Sequence, residues 1–86
     1  MSRKVIRVTA DWCKPCQAFG PIVDRVAESL GLGVEVLNYE TDSARVSQYR
    51  VRSLPTLVLV GESGEMVDRL AGAVSTSELR KFLGQS

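Results

Sequence analysis

The two cysteines of this 86-residue chain both stand in Ala10-Asp11-Trp12-Cys13-Lys14-Pro15-Cys16, between an apolar run and a segment with helical spacing. That placement demands a strand, a tight turn and a helix in immediate succession. A thiol at the first turn of a helix lies over unpaired backbone N–H groups and the positive end of the helix dipole, and both stabilise a thiolate. Cys13 is therefore the candidate nucleophile. Cys16, one helical turn on, falls on the same side within reach of a disulfide and is the candidate resolving thiol. Pro15 suits the first turn, where its missing N–H costs nothing and its fixed φ favours the helix. Other uses of two cysteines are weaker. A structural disulfide over so short a loop removes only roughly 2 kcal/mol of unfolded-state entropy. Zinc needs about four ligands, and the chain has two cysteines and no histidine. A Lys- and Pro-containing turn is an exposed place for inert buried thiols.

The flanking segments read in order. Val5 to Thr9 is a short β-branched strand ending at the cysteine loop, where sites form beyond the carboxyl ends of strands. From Cys13 to Leu30, the residues Phe19, Ile22, Val23, Val26, Ala27 and Leu30 recur at the spacing of one helix face, with Gly31 as the stop. Pro21 inside this pattern removes one backbone bond and predicts a kink near Gln17 to Gly20; a helix boundary at Gly20-Pro21 is the alternative. Val34 to Tyr39 is a second strand, parallel to the first through a right-handed crossover. Thr41 or Asp42 can cap a short helix to about Arg50, with Ala44, Val46 and Tyr49 facing inward. Leu54-Pro55-Thr56 opens a strand over Leu57 to Val60, where a proline at the strand's start is tolerated. Gly61-Glu62-Ser63-Gly64 is a turn, and Glu65 to Leu70 returns antiparallel. Ser75-Thr76-Ser77-Glu78 has the form of a capping box and starts a last helix in which Leu79, Phe82 and Leu83 face the sheet before Gly84. The order is βαβαββα, an α/β pattern.

Length supports a single domain over residues 1–86. Net charge is +1, with acids and bases interspersed, so no basic field selects nucleic acid or an anionic membrane. Arg50 and Arg52, near Arg45, read as a solvated face. Arg7 interrupts the apolar run Val5-Ile6, which excludes a signal peptide or membrane span at that point. The expectation is a cytoplasmic protein, in which disulfides are mostly transient and catalytic.

The stretch Asp11-Trp12-Cys13-Lys14-Pro15-Cys16, with the Pro55-Thr56 pair further on, resembles the active site of the thioredoxin family. The element order from about Val5 to Leu83 is similar to the minimal thioredoxin fold, a four-stranded mixed sheet in the order 2-1-3-4 with helices on both faces. The extra N-terminal strand and helix of full-length thioredoxins have no counterpart, as in glutaredoxins and small archaeal and phage thioredoxins. The resemblance implies that Pro55 takes a cis peptide bond facing the disulfide, which would free the backbone of Leu54 to pair with an extended substrate segment. It also implies that Gly72 is the glycine beside the disulfide, a simple loop glycine being the alternative, and that Trp12, Pro15, Leu54 and Ala73 form an apolar rim. Trp12 as a packing residue is compatible with that role.

Two positions depart from the family pattern. Arg7 stands where thioredoxins usually carry a buried Asp, and Val36 where a Lys usually pairs with it. Deprotonation of Cys16 then relies on water, on Cys13 as it leaves, or on the field of a nearby cation. If partly buried, Arg7 requires a partner such as Glu35 or Asp68, or must snorkel to solvent. Lys14 replaces the usual Gly, and a cation there stabilises the Cys13 thiolate and predicts a higher potential.

These features predict a monomeric dithiol-disulfide oxidoreductase that reduces protein disulfides without a metal or organic cofactor. The resemblance implies recharging by a thioredoxin reductase that uses NADPH, and admits ribonucleotide reductase among the recipients. Two rivals remain: a glutaredoxin-like protein recharged by glutathione, and a binding module of the same fold whose thiols are incidental.

Overall fold

The computed structural model describes residues 3–85. Its elements are β1 (Lys4–Thr9), α1 (Lys14–Ser29), β2 (Gly33–Asn38), α2 (Ser43–Ser47), β3 (Thr56–Val60), β4 (Met66–Ala71) and α3 (Thr76–Leu83). The strands form one sheet in the order β2-β1-β3-β4. β1 runs parallel to β2 and antiparallel to β3, and β3 pairs antiparallel with β4. The expected order and strand arrangement are both present.

Alternation along β1 sorts its side chains between two apolar layers. Val5 joins Leu57 and Leu59 beneath Phe19, Val23, Val26 and Ala27 of α1 and Leu79, Phe82 and Leu83 of α3. Ile6 and Val8 join Leu37, Val58 and Val60 on the opposite face, under Val46 and Tyr49. β3 is buried along its whole length, as a central strand covered on both faces must be.

α1 runs unbroken through Pro21, so Gly20-Pro21 is not a boundary. Its face is the expected one as far as Ala27, but Leu30, the helix's C-cap, is exposed. The chain is already turning there, and Gly31 follows at φ +73°, a left-handed conformation open to glycine without strain. α2 is shorter than expected. It ends at Ser47, Val46 and Tyr49 point inward, and Ala44 is exposed rather than packed. Five residues make little more than one turn, too few to define an apolar stripe that would carry Ala44 to the sheet. At α3, the Ser75 hydroxyl accepts the Glu78 N–H at 3.2 Å, the cap expected from the Ser-x-x-Glu spacing.

Candidate active site

β1 ends at Thr9, and the Ala10 carbonyl then ties the turn together. It accepts the Cys13 N–H at 3.1 Å and the Gln17 side-chain amide at 3.3 Å. Cys13 thus falls at the N-cap of α1, and its Sγ accepts the N–H of Cys16 at 3.2 Å. The sulfur occupies the place that a serine or aspartate oxygen takes in an ordinary cap, where the first amides of a helix lack partners. Cys13 and Cys16 form a disulfide with their Cα atoms 5.2 Å apart, an ordinary separation for such a bond. Both are buried, but unequally: Cys13 retains 5% exposure and Cys16 retains 1%. The attacking sulfur must meet a partner's sulfur directly, so the difference favours Cys13 as the nucleophile.

Around this pair the structure assembles several of the expected residues. Leu54 packs against Ala10, Cys13 and Cys16. The Leu54-Pro55 bond is cis. Pro55 is buried, and its carbonyl accepts the Gly72 N–H at 2.8 Å, which ties Gly72 to the Pro55 loop; Ala73, the next residue, is exposed. Gly72 has φ +88°, so any other residue there would be strained. Leu54 lies just outside β3, and among the described residues its own N–H and C=O make no backbone hydrogen bond. Trp12 is 64% exposed, which removes the packing role and leaves a broad aromatic surface beside the sulfurs. Lys14 and Pro15 are exposed on the first turn of α1. Among the described residues Lys14 has no ion-pair partner.

Arg7 is placed differently from expectation. It lies on the face of β1 that α1 covers, its side chain is 15% exposed, and its carboxylate neighbour is Asp24 at 3.8 Å. Glu35 points to the opposite face and is held by Lys4 at 2.8 Å and by Arg45. Those bonds, that from Arg45 foremost, hold its carboxyl down to about 2. Asp68 is also engaged elsewhere, accepting the Gln85 side-chain amide at 2.8 Å. Neither alternative partner is free, and Arg7 reaches along α1 instead. Gly20 makes this possible: a Cβ there would stand 2.6 Å from Arg7 Nη1. Arg7 Nε is buried and without a partner among the described residues. A cation thus sits beneath α1 one turn beyond Cys16. Val36, in register with Arg7 on β2, is half exposed and contributes no charge.

Sequence reasoning missed the parts of the site that act through the backbone. The Ala10 carbonyl and Gln17 hold the turn, and Gln17 one turn after Cys13 was the available signal. Thr56, the buried polar residue at the start of β3, donates its hydroxyl to the Ser53 carbonyl at 2.6 Å and holds the Pro55 loop from behind.

A strand feeding a helix capped by one sulfur of a Cys-x-x-Cys disulfide, with the Leu54-Pro55 loop packed against it, is the arrangement of a thiol-disulfide oxidoreductase. Among the described residues no group of three or more His, Cys, Asp or Glu side chains is placed to hold a metal ion. The comparisons with known proteins agree with this class. The family model for thioredoxin matches residues 2–85. The chain is 38% identical over 78 residues to thioredoxin of Porphyra purpurea, covering 88% of this chain and 72% of that one. It is 38% identical over 76 residues to thioredoxin 1 of Synechococcus elongatus, covering 86% and 70%. A mutant thioredoxin from Halobacterium salinarum superposes with a TM-score of 0.86 at 33% identity, over 95% of this chain and 72% of that one. The chain belongs to the thioredoxin family.

Proposed function

We propose that this chain is a cytoplasmic, monomeric, single-domain protein-disulfide reductase in which Cys13 attacks and Cys16 resolves. The observation that carries the assignment is the Cys13 sulfur at the N-cap of α1, accepting the Cys16 amide while keeping the larger exposure of the pair. In the reduced protein the same amide and the helix dipole stabilise a Cys13 thiolate. That thiolate attacks one sulfur of a substrate disulfide, forms a mixed disulfide and releases the other substrate sulfur as a thiolate. Cys16, deprotonated, then attacks Cys13 Sγ, closes the Cys13–Cys16 bond and releases the second substrate thiolate. Two electrons pass to the substrate, and its two thiolates take up protons from water.

The substrate segment lies along Leu54, whose free N–H and C=O pair with it as an added strand. Trp12, Lys14 and Pro15 border it on one side, and Pro55, Gly72 and Ala73 on the other. Gly72 lets the partner's backbone approach. Arg7 stands where an acid would accept the Cys16 proton and cannot act as a base near neutral pH. Cys16 therefore passes its proton to water or to the leaving sulfur, in the field of the Arg7 cation. No helix among the described residues is long and apolar enough to cross a membrane.

Electrons are restored by NADPH through a thioredoxin reductase, and ribonucleotide reductase is one recipient class. Equilibration in glutathione buffers, followed by the fluorescence of Trp12, tests this reading. A strongly reducing potential together with recharging by NADPH and thioredoxin reductase is the expected result. A potential near that of glutathione, with recharging by glutathione alone, contradicts it and identifies a glutaredoxin-like protein. Lys14→Gly is expected to make the potential more negative, and an unchanged potential would remove Lys14 from the account.

A further inference from the structure

A cleft of about 110 Å³ opens beside the Pro55 loop, lined by Arg50, Arg52, Ser53, Thr56, Arg69 and Ala71. Three of its six lining residues are arginines and none is acidic. In a chain of net charge +1 with 10 acidic residues, that composition is local and does not follow from general basicity. The ion pairs among the described residues involve Lys4, Arg7 and Arg45, and none of the three cleft arginines.

The cleft is also partly rigid. Arg69 projects from β4 on the α2 face, and its Nη1 donates to the carbonyls of Tyr49 at 2.7 Å and Arg50 at 2.9 Å. That guanidinium is fixed in place, with its remaining N–H groups available to an acceptor. Arg50 has φ +54°, a conformation a bulky residue seldom adopts, and the bond from Arg69 to its carbonyl supports it there. A guanidinium held before any ligand arrives loses less freedom when it binds one.

Position supplies the occupant. Arg52 and Ser53 immediately precede Leu54-Pro55, and Thr56 follows. A segment paired along the free backbone of Leu54 continues past Ser53 and Arg52 and brings its side chains over the cleft. A guanidinium cluster favours carboxylates, and a tethered carboxylate on that segment needs no separate capture from solution. We propose that the Arg50-Arg52-Arg69 cleft is a specificity subsite for an aspartate or glutamate flanking the cysteine of a substrate disulfide. The proposal rests on the disulfide-reductase reading and names the substrate class that this protein prefers.

Two peptides of equal length test it, each with one disulfide, one carrying two Glu beside the reacting Cys and the other Gln at those places. The second protein is the double variant Arg50→Asn, Arg52→Gln, which keeps Arg69 and puts a residue tolerant of positive φ at position 50. For the unaltered protein kcat/KM is expected to be about tenfold higher on the Glu peptide, the advantage falling at high salt. The double variant, left with Arg69 alone in the cleft, should lose most of the Glu advantage while reducing the Gln peptide at the unaltered rate. Equal kcat/KM for the two peptides in the unaltered protein, or an advantage undiminished in the double variant, overturns the proposal while leaving the reductase reading intact. Failure to reduce even the Gln peptide overturns the reductase reading and the proposal with it. Inorganic phosphate that suppresses the Glu advantage only by the general effect of its ionic strength supports a peptide ligand. Competition by phosphate well below that level assigns the cleft to a free anion and overturns the proposal.

Discussion

One face of the sheet is closed by two helices, α1 and α3, which lay Phe19, Val23, Leu79 and Phe82 over Val5, Leu57 and Leu59. The other has only the five-residue α2, and there Val46 and Tyr49 cover Ile6, Val8, Val58 and Val60 with help from polar side chains. On this second face Glu35 joins Lys4 of the neighbouring strand to Arg45 of α2, and Arg69 ties β4 to the loop after α2. The difference teaches where stability and recognition reside. Apolar packing on the first face anchors the helix that carries the sulfurs. Charged groups on the second face complete a thin cover and leave guanidinium groups at the edge of the substrate loop.

On this contrast, the same truncation should cost more on the first face. Val23→Ala, fully enclosed beneath α1, is expected to lower stability by about 2–3 kcal/mol, and Val46→Ala by about 1 kcal/mol, because the short α2 can settle into the space. Equal losses in urea denaturation would show the two faces to be equally packed. A smaller effect is expected from Arg69→Gln. Loss of its two carbonyl bonds should cost about 1–2 kcal/mol and speed amide hydrogen exchange around residues 49–53, leaving α1 unchanged. Exchange that quickens throughout the chain would mean that the loop is not held separately from the core.

The smallest effect concerns acid. Because Glu35 is held at about 2, below the 4.5 of an ordinary glutamate, its contribution is fully present above about pH 4.5. It is lost as pH falls toward about 2, where the native carboxylate takes up its proton. Glu35→Gln should therefore be slightly less stable than the unaltered protein near neutral pH, and the two should converge near pH 2. A gap that stays constant across that range would show that Lys4 and Arg45 act through packing alone.

Much of this was legible in the chain because it follows from short-range pattern. The apolar spacing from Phe19 to Ala27, the β-branched run of β1, the hairpin glycines and the Ser75 cap each specify a local structure that the fold retains. Pro15 and the cysteine spacing located the helix start to within one residue. What escaped depends on contacts distant in sequence or on too little pattern. Ala44 could not be placed because α2 is barely longer than one turn. Arg7 could not be assigned to Asp24 without knowing that Gly20 leaves room above it and that Glu35 is already held on the opposite face. Arg50 and Arg52 are exposed, as read, but the bond of Arg69 to Tyr49 spans 20 positions and leaves no periodic trace, so the cleft they border was not legible.

The division of labour between the two sulfurs is tested most directly by trapping the mixed disulfide. Reduced Cys16→Ser and Cys13→Ser proteins are each mixed with a disulfide substrate, and the covalent adduct is followed by mass spectrometry under non-reducing conditions. The account predicts rapid accumulation of an adduct through Cys13 in the Cys16→Ser protein and little reaction in the Cys13→Ser protein. Adduct formation through Cys16 at an equal or greater rate would contradict the assignment of the helix-capping sulfur as the nucleophile.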